Sequence, residues 1–341
     1  MHIAPERAWP NNKNETVHIG VEAIMRTTNL SSAGMVALAA GLASSAIGAA
    51  RAADPPQYTF ALITHGQPGD TFWDIVRKGA EAAAKHDGVR LIYQANPNAS
   101  GETQLITNVM QQHVDGIVVT LAFPEAEMPA VAQAQAQGIP VVGMNAGNDD
   151  WKKGKLVGFV GQDETVAGRA VGDRLNQEGA KNIVCVDQQQ GAVQLAQRCD
   201  GIAKTLHGKL YVLYVPGYDM ASVQSRLVAK LQQDPTIDYV VTLGAPFAPT
   251  AATAIGMAGS KAKVGTFDMT PRLISLIKDG KVEWAVDQQP YVEGYLAVDL
   301  LWLNKANGDV VGGGGPVATG PAFVTHDNID VVAKFAQAGT R

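Results

Sequence analysis

The chain has 341 residues, of which 46% are hydrophobic and 17% are charged. That length allows about two domains with a sizeable core in each. The formal net charge is −5 and no long basic run occurs, which argues against a nucleic acid as a partner.

The first 53 residues have the pattern of an export signal that follows an extension. Met25-Arg26 gives a positively charged start, residues 33–50 are uncharged and rich in small residues, and Ala50-Arg51-Ala52-Ala53 contains an A-x-A-like cleavage site. We therefore expect residues 25–53 to be a signal peptide cleaved near Ala53, and residues 1–24 to be a non-native extension. A buried helix or a membrane anchor is the alternative, although the stretch is short and rich in Ala and Gly for a membrane span.

From residue 58 onward, short β-rich runs alternate with helical patterns. The predicted strands cover residues 58–64, 89–93, 115–120, 139–144 and 156–160, then 182–186, 209–215, 239–243, 264–267 and 283–286. The predicted helices cover residues 72–85, 102–112 (with Ser100 as its cap), 125–137, 166–177, 195–206, 222–233, 250–257, 272–278 and 292–304. Such alternation predicts βαβ units and parallel sheets. Two successive runs predict an α/β fold with two doubly wound, Rossmann-like domains, which a last apolar segment at 317–324 returns to complete.

The loops that follow the strands are the places to seek a site, because open α/β sheets bind ligands outside the carboxyl ends of their strands. The first of these loops brings Phe72 and Trp73 to the start of a helix. Aromatic rings suit the C–H faces of a sugar-like ligand, although both rings could simply pack at the helix start. Asp268 follows a later strand, where its carboxylate could accept from ligand hydroxyls or cap the next helix.

Three further polar residues are candidates for ligand contact. Arg198 offers a rigid fork of donors that suits adjacent hydroxyls, the alternative being an exposed arginine on a helix. Asn145 follows a predicted buried strand, where its amide could donate and accept, or could simply make a turn. Gln288 gains weight only from its place where the second domain crosses back to the first.

The two cysteines, Cys185 and Cys199, lie at the end of a predicted strand and early in the next helix. In an exported protein such a pair favours a disulfide, with two free buried thiols as the alternative. The sequence contains no nucleophile elbow, no phosphate-binding loop, no dinucleotide-binding glycine motif and no H-x-x-x-H spacing. We therefore expect no metal, no cofactor and no catalysis.

One set of segments, in one order, carries a family resemblance. These segments are Phe60–Thr64 with Phe72-Trp73, Asp115–Val119, Gln137–Val142, Val160–Glu164, Arg198–Gly201, Gly265–Asp268 and Asp287–Gly294. From Tyr58 to the C-terminus the chain resembles the periplasmic sugar-binding proteins of ABC importers, of the ribose/galactose-binding type. The resemblance implies two lobes joined by a three-strand hinge, with crossovers near Gly161, Gln288 and Thr319. The N-terminal lobe would then comprise residues 57–161 and 289–318, and the C-terminal lobe residues 162–288 and 319–341.

The resemblance also implies a set of ligand-binding positions, which fall on Asp70, Phe72, Trp73, Asn145, Arg198, Tyr218, Asp268 and Gln288. Phe72 and Trp73 would stack on the sugar, and Tyr218 would be the aromatic residue of the second lobe. The chain departs from the family pattern at Asn145-Ala146, where ribose binders carry Asp-Arg, and at Gly244–Pro246, where an Asn is usual. These departures argue against ribose itself.

The function implied is that of a periplasmic, monomeric protein that closes over a monosaccharide or polyol and presents it to an ABC permease. A sugar-sensing co-receptor for a membrane signalling protein would use the same kind of pocket, so it stays an alternative. A periplasmic carbohydrate-active enzyme is a further alternative that would need a catalytic pair. A sugar-responsive repressor would need a basic helix-turn-helix at the N-terminus, where this chain has its signal sequence.

Overall fold

The computed structural model describes residues 57–67 and 69–341. The predicted signal peptide and the extension before it lie outside these residues. No helix in the described ranges is long and apolar enough to cross a membrane.

Twelve strands and ten α-helices make up the described part of the chain. The strands are β1 Tyr58–Thr64, β2 Val89–Ala95, β3 Gly116–Thr120, β4 Val141–Met144, β5 Gly158–Gly161, β6 Asn182–Asp187, β7 Lys209–Tyr214, β8 Tyr239–Thr242, β9 Lys263–Phe267, β10 Trp284–Asp287, β11 Val317–Ala318 and β12 Ala322–Thr325. The helices are α1 Thr71–His86, α2 Ala99–Gln111, α3 Pro124–Ala136, α4 Glu164–Gln177, α5 Val193–Thr205, α6 Met220–Gln233, α7 Ala248–Ala258, α8 Pro271–Lys278, α9 Pro290–Asn307 and α10 Ile329–Gln337, with a short 3-10 helix at Ala245–Phe247.

The strands form two six-stranded sheets, in the orders β11-β5-β4-β3-β1-β2 and β12-β10-β9-β8-β6-β7. Every strand pair is parallel except β10 with β12, which is antiparallel. Buried apolar clusters cover both faces of each sheet. That explains why central strands such as β3 are buried at every residue instead of at alternate ones. The predicted fold of two doubly wound parallel-sheet lobes is confirmed.

The chain passes between the two sheets three times: after β5, between β10 and α9, and between β11 and β12. Helix α9 follows the last parallel strand of the second sheet but packs on α1 of the first lobe. Two glycines allow that close contact. A Cβ at Gly79 would lie 2.0 Å from the carbonyl oxygen of Tyr291, and one at Gly294 would lie 2.0 Å from that of Val76.

Two local predictions differ from the structure. Helix α2 begins at Ala99 with Asn98 as its N-cap residue, so Ser100 lies within the first turn and the predicted cap is wrong. The apolar segment at 317–324 divides between the two sheets as β11 and β12, and α10 then packs on α8. Helix α10 was not predicted, although its sequence is amphipathic and its apolar face is buried.

The predicted disulfide between Cys185 and Cys199 is confirmed, with a Cα–Cα distance of 6.0 Å. Both residues are buried. The bond fastens the central strand β6 to helix α5, and α5 carries Arg198. The cross-link therefore anchors one of the candidate ligand-binding helices.

Candidate ligand-binding site

A cavity of about 520 Å³, including its open mouth, lies between the two lobes at the carboxyl ends of their strands. Seven of the eight predicted ligand-binding residues line the cavity. The lining residues are His65, Gln67, Asp70, Phe72, Trp73 and Asn145 from the first lobe, Gln188, Gln189, Gln194, Leu195, Arg198, Leu243, Gly244, Pro246, Phe247 and Asp268 from the second, and Gln288 from the crossover.

An aromatic wall forms where α1 begins. Asp70 is the N-cap residue of α1, and its carboxylate accepts from the backbone N–H of Phe72 at 3.0 Å. The ring of Trp73 meets Phe72 edge to face, with 5.0 Å between centroids. Phe72 and Trp73 are 5% and 6% exposed, so they pack into the core and line the cavity at once. Burial raises the pKa of Asp70 to about 6, although the N–H of Phe72 opposes the shift.

Asn145 and Asp268 occupy matching positions in the two lobes. Each directly follows a strand, has a left-handed backbone (φ 64° and 67°), and donates its N–H to the neighbouring strand. The acceptors are the carbonyl oxygens of Val160, at 2.8 Å, and Val286, at 2.7 Å. Asn and Asp tolerate this conformation better than most residues. The structure assigns the cap of α8 to Thr270, so Asp268 does not serve as that cap.

Gln288 joins these two strand ends. Its amide nitrogen donates to Asp268 Oδ1 at 2.6 Å, and its carbonyl oxygen accepts from Asn145 Nδ2 at 3.2 Å. Asn145 also donates to Glu293 Oε2 at 3.0 Å. Burial raises the pKa of Asp268 to about 7, against the opposing effect of the positive charge of Arg198. The crossover therefore ties together polar groups from both lobes.

Arg198 is buried and held by a bidentate ion pair, so it is not an exposed helix residue. Its Nε and one terminal nitrogen donate to the two oxygens of Glu164, at 2.7 Å each. Its other terminal nitrogen donates to the carbonyl oxygen of Leu243 at 2.8 Å. The guanidinium lies 4.5 Å from the ring centroid of Phe267. Burial opposes the charge of Arg198, but the carboxylate of Glu164 raises its pKa overall. Of the five guanidinium N–H groups, two stay without a partner in the described part of the chain.

Tyr218 does not line this cavity. It is 85% exposed and borders a second depression, together with Gln67, Phe123 and Tyr214. No cluster of metal-ligating side chains occurs among residues 57–67 and 69–341.

Residues 60–308 match the family that is described as the periplasmic binding protein domain. The chain belongs to this family. The resemblance recognised in the sequence is therefore confirmed.

This periplasmic binding protein is similar to solved and curated proteins that span most of its length. A carbohydrate transporter from Acidothermus cellulolyticus, solved in complex with myo-inositol, is 53% identical, with a TM-score of 0.83 over 84% of this chain and 100% of that one. The ribose import binding protein RbsB of Bacillus subtilis is 28% identical over 67% of this chain and 75% of its own length. The xylitol-binding protein of Mycolicibacterium smegmatis is 27% identical over 75% and 74%.

His65, Gln188 and Gln194 are among the cavity residues of this periplasmic binding protein that the sequence analysis missed. His65 and Gln188 directly follow strands β1 and β6, so the rule that ligands bind at strand ends could have found them. Gln194 lies four residues before Arg198 on α5, which places both on one helix face. Glu164, the partner of Arg198, has no signal of its own in the sequence.

Proposed function

We propose that this protein is the substrate-binding component of an ABC importer for a neutral monosaccharide or polyol. The lobes would close over the ligand, and the closed form would deliver it, unaltered, to a permease in the inner membrane. We further propose that it works as an exported monomer with the lobe division and the eight-residue ligand set given above. Tyr218 would then contact the ligand only if its loop moved inward.

One observation carries the proposal: a cavity between two lobes combines an aromatic wall with polar groups from both sides. Aromatic rings can cover the C–H face of a sugar or cyclitol, while fixed donors and acceptors match its hydroxyls. The two unpaired N–H groups of Arg198 and the carboxylates of Asp70 and Asp268 are of this kind. A 53% identical relative that holds myo-inositol and a relative named for xylitol support a polyhydroxylated ligand.

The charges around the cavity favour a neutral ligand over a sugar acid. Asp70 and Asp268 line the cavity, and the only cation there, Arg198, already pairs with Glu164 within the described residues. A ligand carboxylate or phosphate would therefore meet uncompensated carboxylates. In a poorly hydrated cavity such repulsion is strong.

Closure follows from groups that lie on opposite lobes. A ligand that touches Trp73 and Arg198 together makes all of its contacts only when both lobes meet it. Its higher affinity for that arrangement shifts the population toward it. The free energy of ligand binding thus drives closure, and a permease can recognise the closed form.

Titration calorimetry of the purified exported protein would test the proposal with myo-inositol, xylitol, ribose, galactose and glucuronate. We expect at least one neutral compound to bind with a Kd of about 10 μM or below, and glucuronate to bind at least about tenfold more weakly, equivalent to about 1.4 kcal/mol. Trp73→Ala should weaken binding, whereas Trp302→Phe, at a half-buried residue of α9 that does not line the cavity, should not. Binding of none of these compounds would contradict the function, and a preference for glucuronate would contradict the neutral class.

A further inference from the structure

We infer that Gln194 binds a ligand hydroxyl through its side-chain oxygen, and that a buried hydrogen-bond chain through His65 and Thr120 fixes this orientation. The inference rests on the proposed function, since it names a specificity-determining residue of the same cavity. It adds an acceptor outside the set that the family resemblance implied.

The two polar atoms of the Gln194 side chain have different surroundings. Gln194 is 3% exposed and lines the cavity. Its Nε2 lies 2.9 Å from Nε2 of His65, which belongs to the other lobe. Its Oε1 is buried and has no hydrogen-bond partner among the described residues. A buried acceptor without a partner is costly, so this atom is suited to a hydroxyl that a ligand brings into the cavity.

The orientation of the amide follows from counting protons around His65. Thr120 Oγ1 has a single proton, which it donates to Glu102 Oε1 at 2.6 Å. The same Oγ1 accepts from the backbone N–H of His65 at 3.1 Å and lies 2.9 Å from His65 Nδ1. With its own proton engaged, Thr120 can only accept from the ring. His65 Nδ1 must therefore carry the proton, and Nε2 is left as a bare acceptor.

The imidazole is neutral, which this assignment requires. Burial, helped by the positive charge of Arg198, lowers the pKa of His65 to about 3. A neutral ring has one donor and one acceptor. Because Nε2 of His65 accepts, Gln194 must turn its NH₂ group toward it and leave its oxygen free. The reverse orientation would place two lone pairs against each other.

The hydrogen-bond chain ends, inside the first lobe, at a pair of buried carboxyl groups. Glu102 and Glu127 are both fully buried, and Oε2 of Glu127 accepts from the backbone N–H of Phe123 at 3.2 Å. Burial raises the pKa of both glutamates, which lets the pair keep one proton between them. Glu102 Oε1 then remains an acceptor for Thr120. The direction of every hydrogen bond is thus fixed from Glu102, inside the first lobe, to Gln194 of the second lobe.

The first test measures the affinity of the wild type and of Gln194→Met for myo-inositol and each of its monodeoxy analogues. Methionine keeps the length of the side chain and removes both polar atoms. We expect Gln194→Met to bind myo-inositol about tenfold more weakly. For one monodeoxy analogue, which lacks the hydroxyl that Gln194 accepts from, the two proteins should bind equally well. Equal affinity for myo-inositol, or the same loss for every analogue, would overturn the inference.

The second test reads the His65 tautomer by ¹⁵N NMR in the ligand-free protein. We expect the wild type to show the Nδ1–H form. Thr120→Val removes the acceptor, so it should mix in the Nε2–H form and lower the affinity for myo-inositol several-fold. Thr242→Val is the matched control, because Thr242 ends β8 of the second sheet and bonds to Thr266. This control should lose stability but keep the wild-type tautomer and affinity.

The NMR measurement separates this inference from the proposed function. If no polyol binds, the function fails, yet the tautomer still decides the orientation of Gln194. An Nε2–H tautomer in the wild type would require Gln194 to offer its oxygen to His65, and the inference would fail even if polyols bind well.

Discussion

Three carboxyl groups near the cavity are buried where their charge is poorly solvated. Burial raises the pKa of Asp70 to about 6, of Asp268 to about 7 and of Glu293 to about 8. A carboxylate in such a place binds a hydroxyl strongly, because it retains little competing hydration. The same lack of hydration opposes folding with the group ionised. Asp70 and Asp268, which line the cavity, therefore favour ligand binding at the expense of stability.

Asp268→Asn should make that balance measurable. An unfolded Asp has a pKa of about 3.9, whereas burial raises that of Asp268 to about 7. In the folded state Asp268 therefore stays protonated up to a higher pH than in the unfolded state. The free energy of unfolding falls as pH rises from about 4 to about 7 and then stays level. We expect Asp268→Asn to raise the unfolding free energy at pH 8 by roughly 4 kcal/mol relative to its effect at pH 4. Affinity for polyols should fall, since the carboxylate acceptor is gone.

Urea unfolding at both pH values, with calorimetry at pH 8, would measure these effects. Asp200→Asn serves as the control, because Asp200 is exposed on α5. It should change neither stability nor affinity by a measurable amount. A stability change for Asp268→Asn that is the same at pH 4 and pH 8 would contradict the argument.

At the scale of elements, the ion pair of Arg198 depends on how closely α4 and α5 approach. Glu164 begins α4, and Gly168 faces Gly201 one turn further along. A Cβ at Gly168 would lie 2.3 Å from the carbonyl oxygen of Arg198 and 2.8 Å from the Cα of Gly201. Since those atoms are backbone, they can give way only if a helix shifts. The two glycines thus set the distance over which Glu164 reaches Arg198.

Gly168→Ala should therefore both destabilise the protein and weaken binding. Overpacking of this kind costs about 1–3 kcal/mol, and a displaced α5 would move Arg198 and Gln194 away from the ligand. Gly256→Ala on α7 is the matched control, because a Cβ there meets nothing within 4 Å. It should stabilise the protein by about 0.5–1 kcal/mol through better helix propensity. Thermal unfolding and calorimetry would measure both variants, and equal behaviour of the two would refute the role of the close helix contact.

The sequence could predict the features that local patterns determine, but not those that depend on how distant helices pack together. Alternating β-rich and helical runs are local patterns, so the two parallel sheets and the order of elements followed from them, whereas the candidate Arg198 rested on its donor geometry and on the family resemblance. The Cys185–Cys199 bond followed from the predicted export signal and the neighbouring elements. Glu164 lies 34 positions from Arg198, and only the packing of α4 on α5 brings them together. The antiparallel direction of β12 likewise depends on how the chain returns between lobes, and the exposed position of Tyr218 depends on the loop between β7 and α6.

At the scale of the whole molecule, one segment of the second lobe makes most of the direct polar contact with the first. Gln189 donates to the carbonyl oxygen of Pro97 at 2.7 Å. The backbone N–H of Val193 donates to the carbonyl oxygen of Ala122 at 2.9 Å, and Gln197 Nε2 donates to Asp149 Oδ2 at 2.9 Å. His65 and Gln194 complete the set. All four second-lobe groups lie on α5 or just before it, so the disulfide-anchored end of that helix is also the surface on which the lobes meet.

Contacts between lobes that avoid the cavity should control affinity without changing specificity. Any bond that forms only when the lobes touch raises the fraction of molecules that are ready to hold the ligand. The apparent Kd is inversely proportional to that fraction, so loss of such a bond raises the Kd. Gln197 and Asp149 do not line the cavity.

Gln197→Ala should remove about 0.5–1 kcal/mol, which corresponds to a Kd about two- to fivefold higher for every ligand. The order of preference among ligands should stay the same, and small-angle scattering should give a larger mean radius of gyration for the ligand-free variant. Lys153→Ala removes an ion pair with Asp150 that lies within the first lobe, so it should alter neither quantity. A Gln197→Ala protein with wild-type affinity and size would show that this contact does not hold the lobes together.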